Sequence, residues 1–233
     1  MRDSRLVFPL RLARGAEKEL IIAGIPLILA LAASIVWPGP YTFLPAGLLI
    51  AIFALLLYFF RDPKRIPPAG EGLFLSPADG RVVEVQQVHE SPEGEGLPEG
   101  GELKISIFMS LLDVHVNRAP VEGRVVLVEH VPGQFRPAFR PEASEVNEHN
   151  LVGMESRYGG VLVKQIAGIL ARRIVCWVSP GQKLQAGERL GVIKFGSRVD
   201  LYLPLGAEPV VRVGDQARAG VTVIARWKGE EVR

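Results

Sequence analysis

Two uncharged apolar runs near the N-terminus constrain this chain more than any other feature. They are Leu20 to Trp37 and Thr42 to Phe60. Each is close to the ~20 residues needed to cross a bilayer as a helix. The short turn Pro38-Gly39-Pro40-Tyr41 separates them, so the pair reads as a helical hairpin in a membrane. Pro26 and Pro45 fall inside the runs, where lipid-embedded helices tolerate proline better than soluble ones do. Trp37, Tyr41 and Tyr58 lie near run ends, where amphipathic rings favour the interface. Arg2, Arg5, Arg11, Arg14 and Lys18 precede the first run, and Arg61, Lys64 and Arg65 follow the second. The turn carries no charge, so the positive-inside rule places both ends of the hairpin in the cytoplasm. The competing reading is a buried core hairpin of a soluble protein. Two charge-free stretches of spanning length argue against it.

From Pro67 onward the texture changes. Short β-branched runs alternate with Gly/Pro turns, among them Arg81 to Val85, Leu103 to Phe108, Arg124 to Val128, Gly160 to Ile166, Arg173 to Val178 and Val221 to Ala225. With 18 prolines and 25 glycines in 233 residues, turns and short strands are expected rather than long helices. A helical turn is considered only for Ile166 to Arg173, which reads equally as one strand running into the next. Two internal repeats stand out. Pro77-Ala78-Asp79-Gly80-Arg81-Val82-Val83-Glu84-Val85 matches Pro120-Val121-Glu122-Gly123-Arg124-Val125-Val126-Leu127-Val128, and Gly181 to Gly187 matches Gly214 to Gly220. The glycine-to-glycine spacing resembles the barrel-sandwich hybrid of lipoyl and biotin carrier domains. No carrier lysine stands in a tight hairpin, which argues against a swinging-arm carrier. The expected architecture is therefore mainly β: a membrane anchor over residues 1–66, with helices at about 20–37 and 42–60, then a lipoyl-like β domain over 67–233. The Gly/Pro/Glu-rich stretch 91–101 reads as an exposed loop.

Composition narrows the chemistry. The net charge of +2 supplies no field that calls for nucleic acid. The single cysteine, Cys176, excludes an internal disulfide and reads as a small buried hydrophobe. With four scattered histidines it offers no zinc-type ligand spacing, so no metal is expected.

One dipeptide carries unusual potential. Gly196-Ser197 follows the apolar run Leu190-Gly191-Val192-Ile193. A serine oxygen there can attack the carbonyl of the preceding residue, and glycine lets the backbone bend toward it. The resulting ester can eliminate to dehydroalanine, and hydrolysis of that leaves a pyruvoyl group at a new N-terminus. Most Gly-Ser pairs are simply turns. Three further residues are candidates for proton transfer or binding. Asp79, in Ser76-Pro77-Ala78-Asp79-Gly80, is an ordinary turn residue by position. His115 ends an apolar strand, and histidine is the side chain most easily poised near neutral pH. His149, in Val146-Asn147-Glu148-His149-Asn150, reads as surface. A base oriented by a carboxylate is what a serine nucleophile requires, whatever the chain order.

Taken together, Ser76-Pro77-Ala78-Asp79-Gly80, Asp113-Val114-His115-Val116-Asn117-Arg118-Ala119-Pro120, Asn147-Glu148-His149-Asn150 and Phe195-Gly196-Ser197 resemble the phosphatidylserine decarboxylases of the short bacterial and archaeal type. The resemblance implies that a proenzyme cuts itself between Gly196 and Ser197. A large chain 1–196 and a small chain 197–233 result, with Ser197 converted to the covalent pyruvoyl cofactor. It also implies a Schiff base with the substrate amine and decarboxylation of phosphatidylserine to phosphatidylethanolamine at the membrane surface, which the charge distribution puts on the cytoplasmic side. Asp79, His115 and Ser197 carry over as the catalytic relay. Longer members show a His-x-x-His pair where this chain has His115 and Arg118. Either His115 serves both maturation and decarboxylation, or Arg118 binds the substrate carboxylate or phosphate. His149 is a further substrate-binding candidate. Phe135 and Phe139 are expected at the lipid interface, with Arg136 and Arg140 on phosphates. Homo-oligomerisation is left open. Two other classes compete: a non-enzymatic membrane-anchored adaptor of an export assembly, and a serine peptidase using Ser197 with Lys194 as base.

Overall fold

A computed structural model describes residues 11–88, 103–140, 142–169, 173–194 and 196–229. Arg2, Arg5, His89, the 91–101 loop and Phe195 lie outside the described residues. The chain divides into two compact units, Met1–Lys64 and Arg65–Arg233.

The first unit is a helical hairpin, α1 (Glu17–Val36) and α2 (Pro40–Phe59). Both helices begin slightly earlier than the apolar runs. Glu17 and Glu19 occupy the first turn of α1, where the helix dipole favours acidic groups. Pro40 opens α2, where its missing N–H costs nothing. The turn is closed by the Thr42 hydroxyl, which donates to Trp37 O at 2.8 Å and Gly39 O at 2.9 Å. Both helices are long and apolar enough to span a membrane, with mean hydropathies of 2.4 and 2.3. Large apolar side chains such as Ile21, Ile28, Leu44 and Leu48 lie exposed along them. Such a surface suits lipid rather than water.

The second unit is mainly β. Its strands are β1 (Leu73–Leu75), β2 (Gly80–Gln87), β3 (Leu103–Met109), β4 (Val116–Arg118), β5 (Gly123–Val131), β6 (His149–Ser156) and β7 (Gly159–Ala167). They continue with β8 (Ile174–Cys176), β9 (Lys183–Leu184), β10 (Arg189–Ile193), β11 (Ser197–Leu203), β12 (Ala207–Pro209), β13 (Gln216–Ala217) and β14 (Val223–Trp227). One short helix, α3 (Ala143–Val146), is an addition that the sequence pattern did not suggest, being barely one turn long. Ile166 and Ala167 complete β7, so this part of the ambiguous Ile166 to Arg173 stretch is strand rather than helix.

The sheet orders mirror each other. The large sheet runs β13-β2-β3-β11-β7-β6-β5-β9, and the two small sheets run β1-β14-β12 and β4-β10-β8. Replacing β1–β3 by β4–β6, and β7–β10 by β11–β14, maps the whole pattern onto itself. The repeats seen in the sequence are the contacts of this internal two-fold. Gly80 and Arg81 pair with Ala217 and Gln216, while Gly123 and Arg124 pair with Leu184 and Lys183. Val82 N–H donates to Asp215 O at 2.9 Å, and Val125 N–H to Gln182 O at 2.8 Å. Even the bulges coincide, between Val82 and Glu84 and between Val125 and Leu127. The halves exchange bonds where they meet: Leu75 N–H to Pro120 O at 2.7 Å and Arg118 N–H to Pro77 O at 2.9 Å.

One continuous apolar core fills the unit, from Phe74 and Ile105 through Val125 and Val163 to Leu201 and Ile224. Cys176 is half-buried at the margin of this core rather than inside it, because β8 is a sheet-edge strand.

Candidate active site

Ser197 opens β11, a central strand of the large sheet, opposite Met109 of β3 and Ala167 of β7. It is fully buried. Its hydroxyl donates to Met109 Sδ at 3.3 Å, a weak acceptor that also receives the Asn117 amide at 3.7 Å. Gly196 has φ +66°, a left-handed conformation that a side chain would strain. Its N–H donates to His115 Nε2 at 3.3 Å. His115 Nδ1 lies 3.0 Å from Asp113 O, so the proton sits on Nδ1 and Nε2 is the acceptor. The Gly196 carbonyl leans over Gly168, where a Cβ would stand only 2.3 Å from the oxygen. The structure thus brings together His115, Gly196 and Ser197 of the sequence-predicted set.

Asp79 sits at the same end of the sheet. It precedes β2, whose Arg81 faces Phe108, which in turn faces Arg198. Its oxygens accept from Ala219 N–H at 2.8 Å and from Arg65 at 2.7 Å. Burial pushes its carboxyl pKa up, and the Arg65 charge offsets part of that rise. Arg118 is buried, donates to Gly187 O at 2.9 Å and packs its stem against Gly220. Asp79 and Arg118 therefore flank the same Ala219-Gly220 corner. The Ser197 hydroxyl is bonded to neither of them, nor to His115.

His149 is buried, not on the surface, and burial lowers its pKa. Its Nδ1 lies 2.7 Å from Asn147 O. In register it faces Ile166, which faces Arg198. Side chains alternate along strands, so His149 shares the sheet face of Arg198 and not that of Ser197. Lys194 is buried directly after β10, and its N–H donates to Arg173 O at 3.1 Å. In the Pro132 to Arg140 loop, Phe135 turns inward against the core while Phe139 stays exposed.

Several supporting residues escaped the sequence reading. Asn147 accepts from Arg136 N–H at 2.9 Å and donates to Arg136 O at 2.8 Å and Ala167 O at 2.7 Å, pinning the end of β7 beside Gly168. An amide ladder runs from Asn150 to Gln165 at 3.1 Å and from Gln165 to Asn117 at 2.7 Å. On the other face, Arg198 is held by Asp200 at 2.6 Å, by Glu84, and by the Ser106 hydroxyl at 2.8 Å. Asn147 and Asn117 stood inside recognised motifs. Gly168 and Met109 carried no signal, because only their neighbours in space make them special.

A Gly-Ser junction tethered to a buried histidine, in a mainly β domain that follows two apolar helices long enough to span a membrane, defines the class of this chain. Known proteins make that class particular. A family model described as phosphatidylserine decarboxylase matches residues 52–225. A "Phosphatidylserine decarboxylase proenzyme" of Carboxydothermus hydrogenoformans is 44% identical over 95% of this chain and 99% of its own. Proteins of the same name from Polynucleobacter asymbioticus and Ruegeria pomeroyi are 47% and 45% identical, covering 76% and 88% of this chain and 80% and 90% of their own. The chain belongs to the phosphatidylserine decarboxylase family.

Proposed function

We propose that the chain is a self-cleaving proenzyme that decarboxylates phosphatidylserine to phosphatidylethanolamine at the cytoplasmic face of the cell membrane. The observation that carries this is the junction itself: Ser197 buried at the head of a central strand, with Gly196 tethered to His115 Nε2 at 3.3 Å.

Maturation uses the chain's own atoms. His115 Nε2 takes the Ser197 proton as Oγ attacks the Gly196 carbonyl carbon. The C–N bond breaks, the Ser197 nitrogen leaves as an amine, and an ester joins the two residues. Loss of the Ser197 α-proton expels the Gly196 carboxylate, and water then replaces ammonia to leave a ketone. For attack to occur, Oγ must leave Met109 Sδ by a side-chain rotation, which costs only a weak hydrogen bond. Asp79 supports the relay electrostatically through the corner it shares with Arg118.

The cut separates a large chain 1–196, bearing the 1–66 anchor, from a small chain 197–233. β11 lies between β3 and β7, so the small chain stays bound through the ladders on both sides.

The residues present fit a pyruvoyl group formed from Ser197. Ser197 is a buried head residue, Gly196 before it has a left-handed backbone, and Gly168 leaves room beside the Gly196 carbonyl. Once formed, that group supplies an electrophilic carbonyl able to take up the electron pair left by departing CO₂. His115 is placed to return a proton. Arg118 holds the carboxylate or phosphate through its guanidinium fork, and His149 braces the Asn147 turn from the opposite sheet face. Apolar burial around Ser197 excludes water from the reacting atoms.

The test is intact-mass spectrometry beside Ser197→Ala. Wild type is expected to split after Gly196, and the small fragment to be lighter by one ammonia than a serine-headed 197–233 peptide, as conversion of the serine head to a pyruvoyl head requires. An uncut wild-type chain in phospholipid vesicles overturns the proposal.

A further inference from the structure

The internal two-fold that builds the active site also builds its counterpart on the other half of the domain. Arg118 and Leu75 are equivalent in the exchanged bonds, so His115 maps onto Gly72 and Asp79 onto Glu122. Ser197 faces Met109 as Gly159 faces Ser156, so Gly196 maps onto Tyr158. Neither a base nor a nucleophile is left there. The hydrogen bond nevertheless persists in reversed form: Gly72 N–H donates to Tyr158 Oη at 2.7 Å, where Gly196 N–H donates to His115.

This corner is open. A cavity of about 450 Å³ is lined by Gly72, Glu122, Arg124, Glu155, Tyr158 and Lys183, among others. Arg124 and Lys183 face each other directly across β5 and β9. Like charges at facing positions are destabilising. Both are exposed, and neither has an ion pair or side-chain hydrogen bond among the described residues. On the catalytic half the same register position pairs Arg81 with neutral Gln216, so the second cation belongs to the cavity alone. The acids are arranged around this pair. Glu155 faces Arg124 from β6 without an ion pair, Glu122 accepts from Gln185 at 3.1 Å, and nearby Arg157 is engaged by Glu71 at 3.6 Å.

We propose that this cavity is a non-catalytic binding site for a zwitterionic amino-alcohol phosphodiester head group. The phosphate lies between Arg124 and Lys183, and the ammonium is received by Glu122 and Glu155. Removing the phosphate leaves two repelling cations, and removing the ammonium leaves the acids unused. The choice of head group rests on the decarboxylase reading, since the product of that reaction has this chemistry. The site itself rests on the duplication and the cavity.

Trp227 reports on it, because its ring lies 5.5 Å from that of Tyr158 in the cavity wall. The full chain in detergent micelles, with Trp37→Phe and Trp177→Phe so that Trp227 is the sole indole, is titrated with glycerophosphoethanolamine. A saturable change in emission is expected. It should weaken about tenfold or more in Arg124→Ala/Lys183→Ala and persist in Ser197→Ala. The double variant relieves a repulsion, so its melting temperature should not fall. Glycerol phosphate, which lacks the amine, should bind several-fold more weakly. Absence of a saturable change, or one unaltered in the double variant, overturns the site. Equal binding of glycerol phosphate or inorganic phosphate overturns the zwitterion assignment. Because the readout is emission and not turnover, a chain that fails to decarboxylate leaves this result intact, and the converse also holds.

Discussion

The His115 imidazole accepts the Gly196 N–H on Nε2 at 3.3 Å while its Nδ1 is committed to the Asp113 carbonyl oxygen at 3.0 Å. One ring thus tethers the residue whose carbonyl the proposed reaction attacks, and the Nε2 lone pair that makes this tether is the one that would take the Ser197 proton. His115→Ala should slow self-cleavage about a hundredfold or more, the usual share of a general base. His115→Gln, which retains a polar contact without a base, should be as slow. Electrophoresis of freshly synthesised chain over time measures it, and prompt cleavage in either variant would refute the assignment.

Gly168 leaves room for the Gly196 carbonyl. An alanine there would put a methyl group 2.3 Å from that oxygen, so the carbonyl must move. A displacement on the order of 1 Å can cost roughly a hundredfold in rate. Gly168→Ala should therefore accumulate uncut chain while its circular dichroism stays like wild type. Cleavage at the wild-type rate would show that the carbonyl is not held there during reaction.

Burial raises the Asp79 pKa above its ordinary 3.8, against the pull of Arg65. The folded state therefore binds this proton more tightly than the unfolded one. From the unfolded value of 3.8 upward, stability therefore falls as pH rises through the folded pKa. Asp79→Asn keeps an acceptor for Ala219 N–H and removes that cost. It should be at least as stable as wild type at neutral pH yet cleave more slowly. Thermal melts and the cleavage time course, run together, separate the two effects; a variant that is both fast and stable would remove Asp79 from the relay.

His149 behaves in the opposite sense. Burial lowers its pKa below 6.5, and Lys164 and His130 add to the lowering while Asn147 O and Glu129 oppose it. The unfolded chain takes up the proton first, so stability is full above 6.5 and is lost as pH falls toward the folded pKa. His149→Gln should flatten the acid limb of a melting-temperature profile. An unchanged limb would assign that slope to other groups.

Arg198 is buried among Asp200, Glu84 and Ser106. Arg198→Met strands the Asp200 charge and should cost about 3–5 kcal/mol in denaturant unfolding. Arg198→Met/Asp200→Leu, which removes both charges, should recover most of that loss. Equal losses in the single and double variants would show that packing rather than pairing holds this site.

Much of this was legible in the linear chain. The apolar hairpin follows from charge-free length alone, because the cost of burying charge in lipid acts residue by residue. The strand-rich body follows from local alternation and turn residues. The motifs around Asp79, His115 and Ser197 single out the proposed site because reactive groups are chemically distinctive wherever they lie. The two repeats were visible as well, since equivalent turns demand equivalent residues.

Other features arose only on folding. His149 stood in a polar stretch and read as surface, yet pairing between β5 and β7 buries it on the face opposite Ser197. Phe135 and Phe139 read alike as interfacial, but only Phe139 stays outside. Gly168 and Met109 become part of the junction because β7 and β3 flank β11, a relation between residues far apart in sequence. Hydropathy and turn chemistry are local quantities and can be read from the chain. Which face a strand buries, and which distant backbone closes on a carbonyl, depend on register, and register is settled only when the whole sheet packs.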